Sequence, residues 1–112
     1  MNKFKVAFRG LFLSFRHRAV KIQIFNAILA IIAGIILKLN YIEWTIFVIL
    51  IGLVISLELI NTCIELICDF IEPKYNERIK DIKDISSGAV LMISICALVI
   101  AIVIFIHKLG GF

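Results

Sequence analysis

Long apolar runs alternate with short polar clusters along this chain, and the pattern predicts its elements. Ile22 to Leu37 is apolar except for Gln23 and Asn26, and Lys38, Asn40 and Tyr41 follow it. A second run extends from Ile42 to Ile71, with Tyr41 and Trp44 at its start. The third, Gly88 to Ile106, ends in His107 and Lys108. With its flanks, each run reaches the roughly 20 residues that a helix needs to cross a bilayer. Ala30 and Ala33 lack the spacing of an A-x-A cleavage site, so the first run is read as a retained span rather than a signal peptide. The first 21 residues follow another rule. Phe4, Phe8, Leu11, Phe12 and Phe15 recur at i+3 and i+4, between Lys3, Lys5, Arg9, Arg16, Arg18 and Lys21, with no acid. That predicts an amphipathic helix lying in the membrane surface, and a plain topogenic flank is the simpler alternative.

The expected fold class is therefore an all-α integral membrane protein with an N-terminal amphipathic surface helix and three transmembrane helices. The expected boundaries within one domain, 1–112, are a surface helix at 1–21, span one at 22–39, span two at 42–71, a polar loop at 72–84 and span three at 85–107.

Composition agrees. Of the 112 residues, 62% are hydrophobic and 18% charged, and the mean hydropathy is +1.11. Soluble domains carry about half and about a quarter respectively, so the soluble and disordered classes are excluded. The net charge of +4 could point to nucleic acid. The basic residues, however, gather beside apolar runs, where a membrane surface explains them better, and no nucleic-acid partner is expected. Six precede span one and four lie in the 72–84 loop, whereas Lys38 and Lys108 fall on the opposite side. The positive-inside rule then puts the N-terminus and that loop in the cytoplasm. Cys63, Cys68 and Cys96 match no zinc or C-x-x-C pattern and read as small buried hydrophobes. His17 and His107 have no second ligand at metal spacing and read as interfacial.

Chemistry concentrates at the end of span two. Glu58, Thr62, Glu65 and Asp69 fall within about 60° of one another on a helix, with Asn61 on the adjacent flank. Glu58 follows Trp44 by 14 residues, which is roughly 21 Å along the helix axis. In a hydrocarbon core about 30 Å thick, that puts Glu58 inside the half nearer the loop. A carboxylate at such depth costs about 3 kcal/mol on insertion scales, so a functional role is the default reading. The bland alternative is hydrogen-bonded glue between helices, which suits Asn61 or Thr62 alone. Three carboxylates on one face instead repel unless a cation joins them, either a metal ion or the basic residues of the following loop. Oxygen ligands of this kind favour magnesium in company with phosphate. Lys83 and Asp84 open span three near Glu65 and Asp69. They read either as a solvated ion pair or as a phosphate-binding lysine beside a metal-bound phosphate. No Gly-rich phosphate loop, G-x-S-x-G or H-E-x-x-H is present.

Glu58, Asn61, Thr62 and Glu65 in the order E-x-x-N-T-x-I-E, then Asp69, then Lys83 and Asp84 with Ser87, Gly88, Ala89 and Val90, resemble the signature of the prokaryotic diacylglycerol kinase family, which includes the undecaprenol kinases. Phe4, Ala7 and Gly10 are similar to the family's F-x-x-A-x-x-G start. The resemblance covers nearly the whole chain. It implies a homotrimer in the bacterial inner membrane that moves the γ-phosphate of ATP, with Mg2+, to a lipid alcohol. Undecaprenol is favoured over diacylglycerol. By matching position, Glu58 is expected as the catalytic base and Glu65 as the metal ligand. Asn61, Asp69, Lys83, Asp84 and Ser87 are expected to hold the nucleotide. A trimer also suits the stripe, because three spans alone leave it poorly covered.

One region departs from the family pattern. Familiar members carry a metal-binding glutamate at the end of the surface helix. Here the segment from Phe15 to Lys21 has no acid, and His17 or Arg18 stands in that place. The competing reading is a non-catalytic membrane protein that retains the fold.

Overall fold

The computed structural model describes residues 2–111; Met1 and Phe112, the two ends of the expected 1–112 domain, lie outside the described residues. Among the described residues the chain forms four α-helices, α1 (Lys3–Ser14), α2 (Arg18–Ile36), α3 (Tyr41–Ile71) and α4 (Glu77–Lys108). The last three are each long and apolar enough to cross a membrane. At 1.5 Å per residue, α3 alone is roughly 46 Å long, which exceeds the hydrocarbon core and leaves its ends in the interfaces. α3 is the central element and packs against both α2 and α4.

Local chemistry sets the helix ends. Asn2 opens α1 by accepting from the Phe4 amide at 2.9 Å. α1 buries none of its residues, so its phenylalanines face outward, as an interfacial helix requires. It stops at Ser14, shorter than the expected 1–21. Phe15–His17 form a turn, His17 takes an extended backbone, and Arg18 to Lys21 become the first turn of α2. α2 ends in a Schellman turn: the Leu39 amide bonds the Gly34 carbonyl at 3.1 Å and the Lys38 amide bonds Ile35 at 3.2 Å. This places Lys38 at φ +56° and ends the helix at Ile36, three residues short of the expected 39.

Asn40 then caps α3 reciprocally with Glu43, each side chain reaching the other's backbone amide at 2.9 Å. The expected 72–84 loop is mostly helix. Only Glu72–Asn76 is irregular, because Asn76 caps α4 by accepting from the Arg78 and Ile79 amides. An i, i+4 ion pair between Lys80 and Asp84 supports that charged first stretch.

At the far end of the bundle, Leu39, Phe47 and Ile104 form a small core with Trp44, Ala30 and Ile100 around them. Lys108 closes it by pairing with Glu43 at 2.8 Å and donating to the Lys38 carbonyl at 3.1 Å. Most large apolar side chains elsewhere face outward, as expected of helices that meet lipid or other subunits.

Candidate active site

The polar stripe of α3 is assembled as the helical spacing predicts, and α4 covers part of it. Glu58 is 5% exposed and Asn61 6%, while Glu65 is half-buried. Asn61 lies between the two carboxylates along the helix. Its Nδ2 donates to Glu65 Oε1 at 2.7 Å and to Glu58 Oε2 at 3.2 Å. Both amide hydrogens are thus committed to carboxylates, which accept only when at least one oxygen lone pair faces them. The Thr62 hydroxyl is used within α3, donating to the Glu58 carbonyl at 2.9 Å. From α4, Ser86 donates to Asn61 Oδ1 at 2.6 Å, which completes the amide's bonding.

Nearer the Glu72–Asn76 turn, Lys83 of α4 meets Asp69 of α3 at 2.7 Å in an exposed ion pair. Charged residues dominate Glu77–Asp84, which lies before the apolar stretch of α4. There the Asp69 carboxylate, accepting the hydrogen bond, holds the Lys83 ammonium above the ordinary lysine range. Lys80 is raised likewise by its bond to Asp84. Asp69, Lys83 and Asp84 line one open cavity of about 400 Å3 with Lys74, Tyr75 and Asn76.

The expected residues therefore separate into two groups. Glu58, Asn61 and Glu65 form a hydrogen-bonded unit, buried at Glu58 and Asn61 and half-buried at Glu65. Asp69, Lys83 and Asp84 border the open cavity. Ser87 is exposed. The hydroxyl that reaches the buried unit belongs to Ser86, which the sequence reading passed over. Its signal was helical periodicity: Ile79, Lys83, Ser86 and Val90 are the less exposed positions of one α4 face.

None of the three ion pairs among the described residues engages Glu58 or Glu65. Their charges are met by a neutral amide, which leaves them fit to receive a cation. Among the described residues no three His, Cys, Asp or Glu side chains gather as a metal cage. Magnesium needs no such cage when phosphate oxygens and water complete its shell, and one half-buried carboxylate, Glu65, fits that smaller role.

A second cavity, about 300 Å3, runs between α2, α3 and α4. Phe47, Leu50, Ile51, Val54 and Ile55 of α3 form one wall, so the groove begins one turn from Glu58 and continues into the apolar part of the bundle. Gln23, Asn26 and Ser94 add the few polar groups.

Residues 5–105 match the family described as prokaryotic diacylglycerol kinase. The undecaprenol kinase of Bacillus subtilis (strain 168) is 40% identical over 79 residues, which cover 70% of this chain and 64% of that protein. The diacylglycerol kinase of Synechocystis sp. (strain ATCC 27184 / PCC 6803 / Kazusa) is 32% identical over 99 residues, covering 87% of this chain and 57% of that protein. The chain thus spans less than two thirds of the length of either curated relative.

Proposed function

The chain belongs to the prokaryotic diacylglycerol kinase family, and from that premise we propose that it is a membrane lipid kinase transferring the γ-phosphate of ATP to a lipid hydroxyl. The observation that carries the reading is the buried Glu58–Asn61–Glu65 unit, flanked on one side by an apolar groove and on the other by the cavity at Lys83. A lipid alcohol has an apolar chain and one reactive hydroxyl. The groove suits the chain, and Glu58 stands where the hydroxyl would meet protein. ATP would enter from the aqueous side, where Lys83, Asp69, Asp84 and Ser87 are accessible and Lys74 and Lys80 add positive charge.

In this reading Glu58 accepts the hydroxyl proton as the lipid oxygen bonds the γ-phosphorus and the bond to the ADP oxygen breaks. Proton acceptance by a positioned base is worth about 10² to 10⁴ in rate. Lys83 orients the phosphates and offsets their charge, and Asn61 keeps the two carboxylates apart and aimed. Glu65 would hold the Mg2+ that accompanies ATP, and the ion would then supply charge neutralisation at the phosphates. Alignment and charge neutralisation are most of what phosphoryl transfer asks of a protein.

The relative named undecaprenol kinase supports undecaprenol as the acceptor over diacylglycerol. The cationic first helix and the Glu72–Asp84 charges support a cytoplasmic N-terminus in the bacterial inner membrane. A homotrimer would cover the rest of the α3 stripe, on which Glu65 is only half-buried within one chain. The departure from Phe15 to Lys21, where no acid stands and His17 or Arg18 takes its place, favours a second reading, a non-catalytic member that keeps the fold. One experiment separates the two. The purified protein is offered labelled ATP with undecaprenol and with diacylglycerol in parallel, and transfer to either lipid supports the kinase. Transfer to neither, with Mg-ATP present, moves the conclusion to the second reading.

A further inference from the structure

Buried Glu58 and half-buried Glu65 are joined by one side chain, and that side chain is anchored from another helix. We propose that Ser86 is a positioning residue: its hydroxyl holds the Asn61 amide in place, and through that amide it aims Glu58. The inference rests on the lipid-kinase reading for the role of Glu58, though not for the contacts themselves.

An asparagine amide offers two donors at one end and an acceptor at the other. Here every part is used. Oδ1 accepts from Ser86 at 2.6 Å, and Nδ2 serves Glu65 at 2.7 Å and Glu58 at 3.2 Å. Among the described residues, the Ser86 hydroxyl is the α4 side chain that hydrogen-bonds into this unit. With alanine at 86, a side chain only 6% exposed loses the donor on its oxygen. A buried carbonyl left without a donor is unfavourable, so the amide must turn toward solvent or admit water. Either movement weakens the two Nδ2 contacts unequally. The 3.2 Å contact to Glu58 is already near the limit of a hydrogen bond, whereas the 2.7 Å contact to Glu65 is short. Glu58 therefore loses its alignment first.

The same asymmetry makes the proposal specific. Glu58 acts in the chemical step, and Glu65 acts on Mg-ATP. Loss of Ser86 should accordingly lower kcat and spare the KM for Mg-ATP. A merely structural serine would reduce the amount of folded protein and leave both constants of the folded fraction alone. Ser86 also lies one turn from Lys83 on the same α4 face, so the hydroxyl is held on the helix that presents the phosphate-side lysine.

The test uses the full chain in lipid nanodiscs, with Ser86→Ala and Ser86→Thr. Ser86→Ala is expected to reduce kcat about tenfold, the scale of one lost hydrogen bond at a reacting group, with KM for Mg-ATP changed less than about twofold. Ser86→Thr keeps the hydroxyl and should recover kcat to within about threefold of the parent. The second measurement needs no turnover: the side-chain NH2 signals of Asn61 in protein labelled with 15N-asparagine, assigned by their loss in Asn61→Leu. They should be protected from exchange in the parent and in Ser86→Thr, and shifted and faster-exchanging in Ser86→Ala. Unchanged Asn61 signals in Ser86→Ala, or a parental kcat, would overturn the proposal. If the parent phosphorylates neither lipid alcohol, the kinase reading fails, and the Asn61 signals alone decide whether Ser86 positions the amide.

Discussion

Replacing Glu58 with glutamine separates its charge from its shape. The side chain is 5% exposed and accepts from Asn61 Nδ2 at 3.2 Å. Glutamine can accept the same bond through its carbonyl oxygen, so the contact changes from a charge-assisted to a neutral one, a loss of about 1 kcal/mol. Against this stands the removal of a carboxylate from the apolar part of the bundle, worth about 3 kcal/mol on insertion scales. The balance favours the variant by about 2 kcal/mol or leaves it neutral, since water reaching the groove would discount the gain. Turnover should move the other way. An amide cannot take up the hydroxyl proton, and loss of a general base lowers kcat by about 10² to 10⁴. The assays are ATP-dependent transfer to the lipid alcohol, calorimetric Mg-ATP binding, and the unfolding midpoint in mild detergent. Glu58→Gln should be inactive, bind Mg-ATP normally and unfold no earlier than the parent. A variant that assembles poorly while its folded fraction stays active would show that Glu58 is a packing residue and refute the base assignment.

Glu65→Gln should instead raise the KM for Mg-ATP by about tenfold and be partly restored by excess magnesium, because a neutral amide is a poorer magnesium ligand. Restoration of Glu58→Gln by the same treatment would exchange the two roles. Lys83→Met should weaken Mg-ATP binding by about tenfold, through loss of a charge-assisted phosphate contact. In the parent, the Asp69 contact holds the Lys83 pKa above the ordinary lysine value of 10.5, so KM for Mg-ATP should show no lysine-type titration centred at or below about pH 10.5. Such a titration would mean that Asp69 does not hold Lys83 in the working enzyme. A Cβ at Gly34 would lie 2.7 Å from Trp44 Cη2 and 3.0 Å from Leu39 Cδ1. Gly34→Val should therefore lower stability by about 1–3 kcal/mol, read as a lower unfolding midpoint with turnover per folded molecule intact.

Much of this protein is legible in one dimension. Apolar runs of spanning length admit only helices in a bilayer, because each helix satisfies its own backbone. The stripe of Glu58, Asn61, Glu65 and Asp69 follows from 3.6-residue periodicity, since all four share one helix. Helix ends were less legible. The reading of 72–84 as a loop took charge for irregularity, whereas Asn76 and the Lys80–Asp84 pair make most of it helix. The surface helix likewise stops at Ser14 because the chain turns at Phe15–His17, and basic residues alone carry no record of that turn. What lies between helices had to come from packing. The choice of Ser86 over Ser87 is a rotation of about 100° on α4, and only the way α4 rests on α3 decides which hydroxyl meets Asn61. The Lys108–Glu43 contact is another such case, two residues distant in sequence that the antiparallel run of α3 and α4 brings to the same end of the bundle. Local sequence determines a helix and the faces it presents; which faces meet depends on how the side chains of two helices interdigitate, a property of the pair that neither segment contains alone.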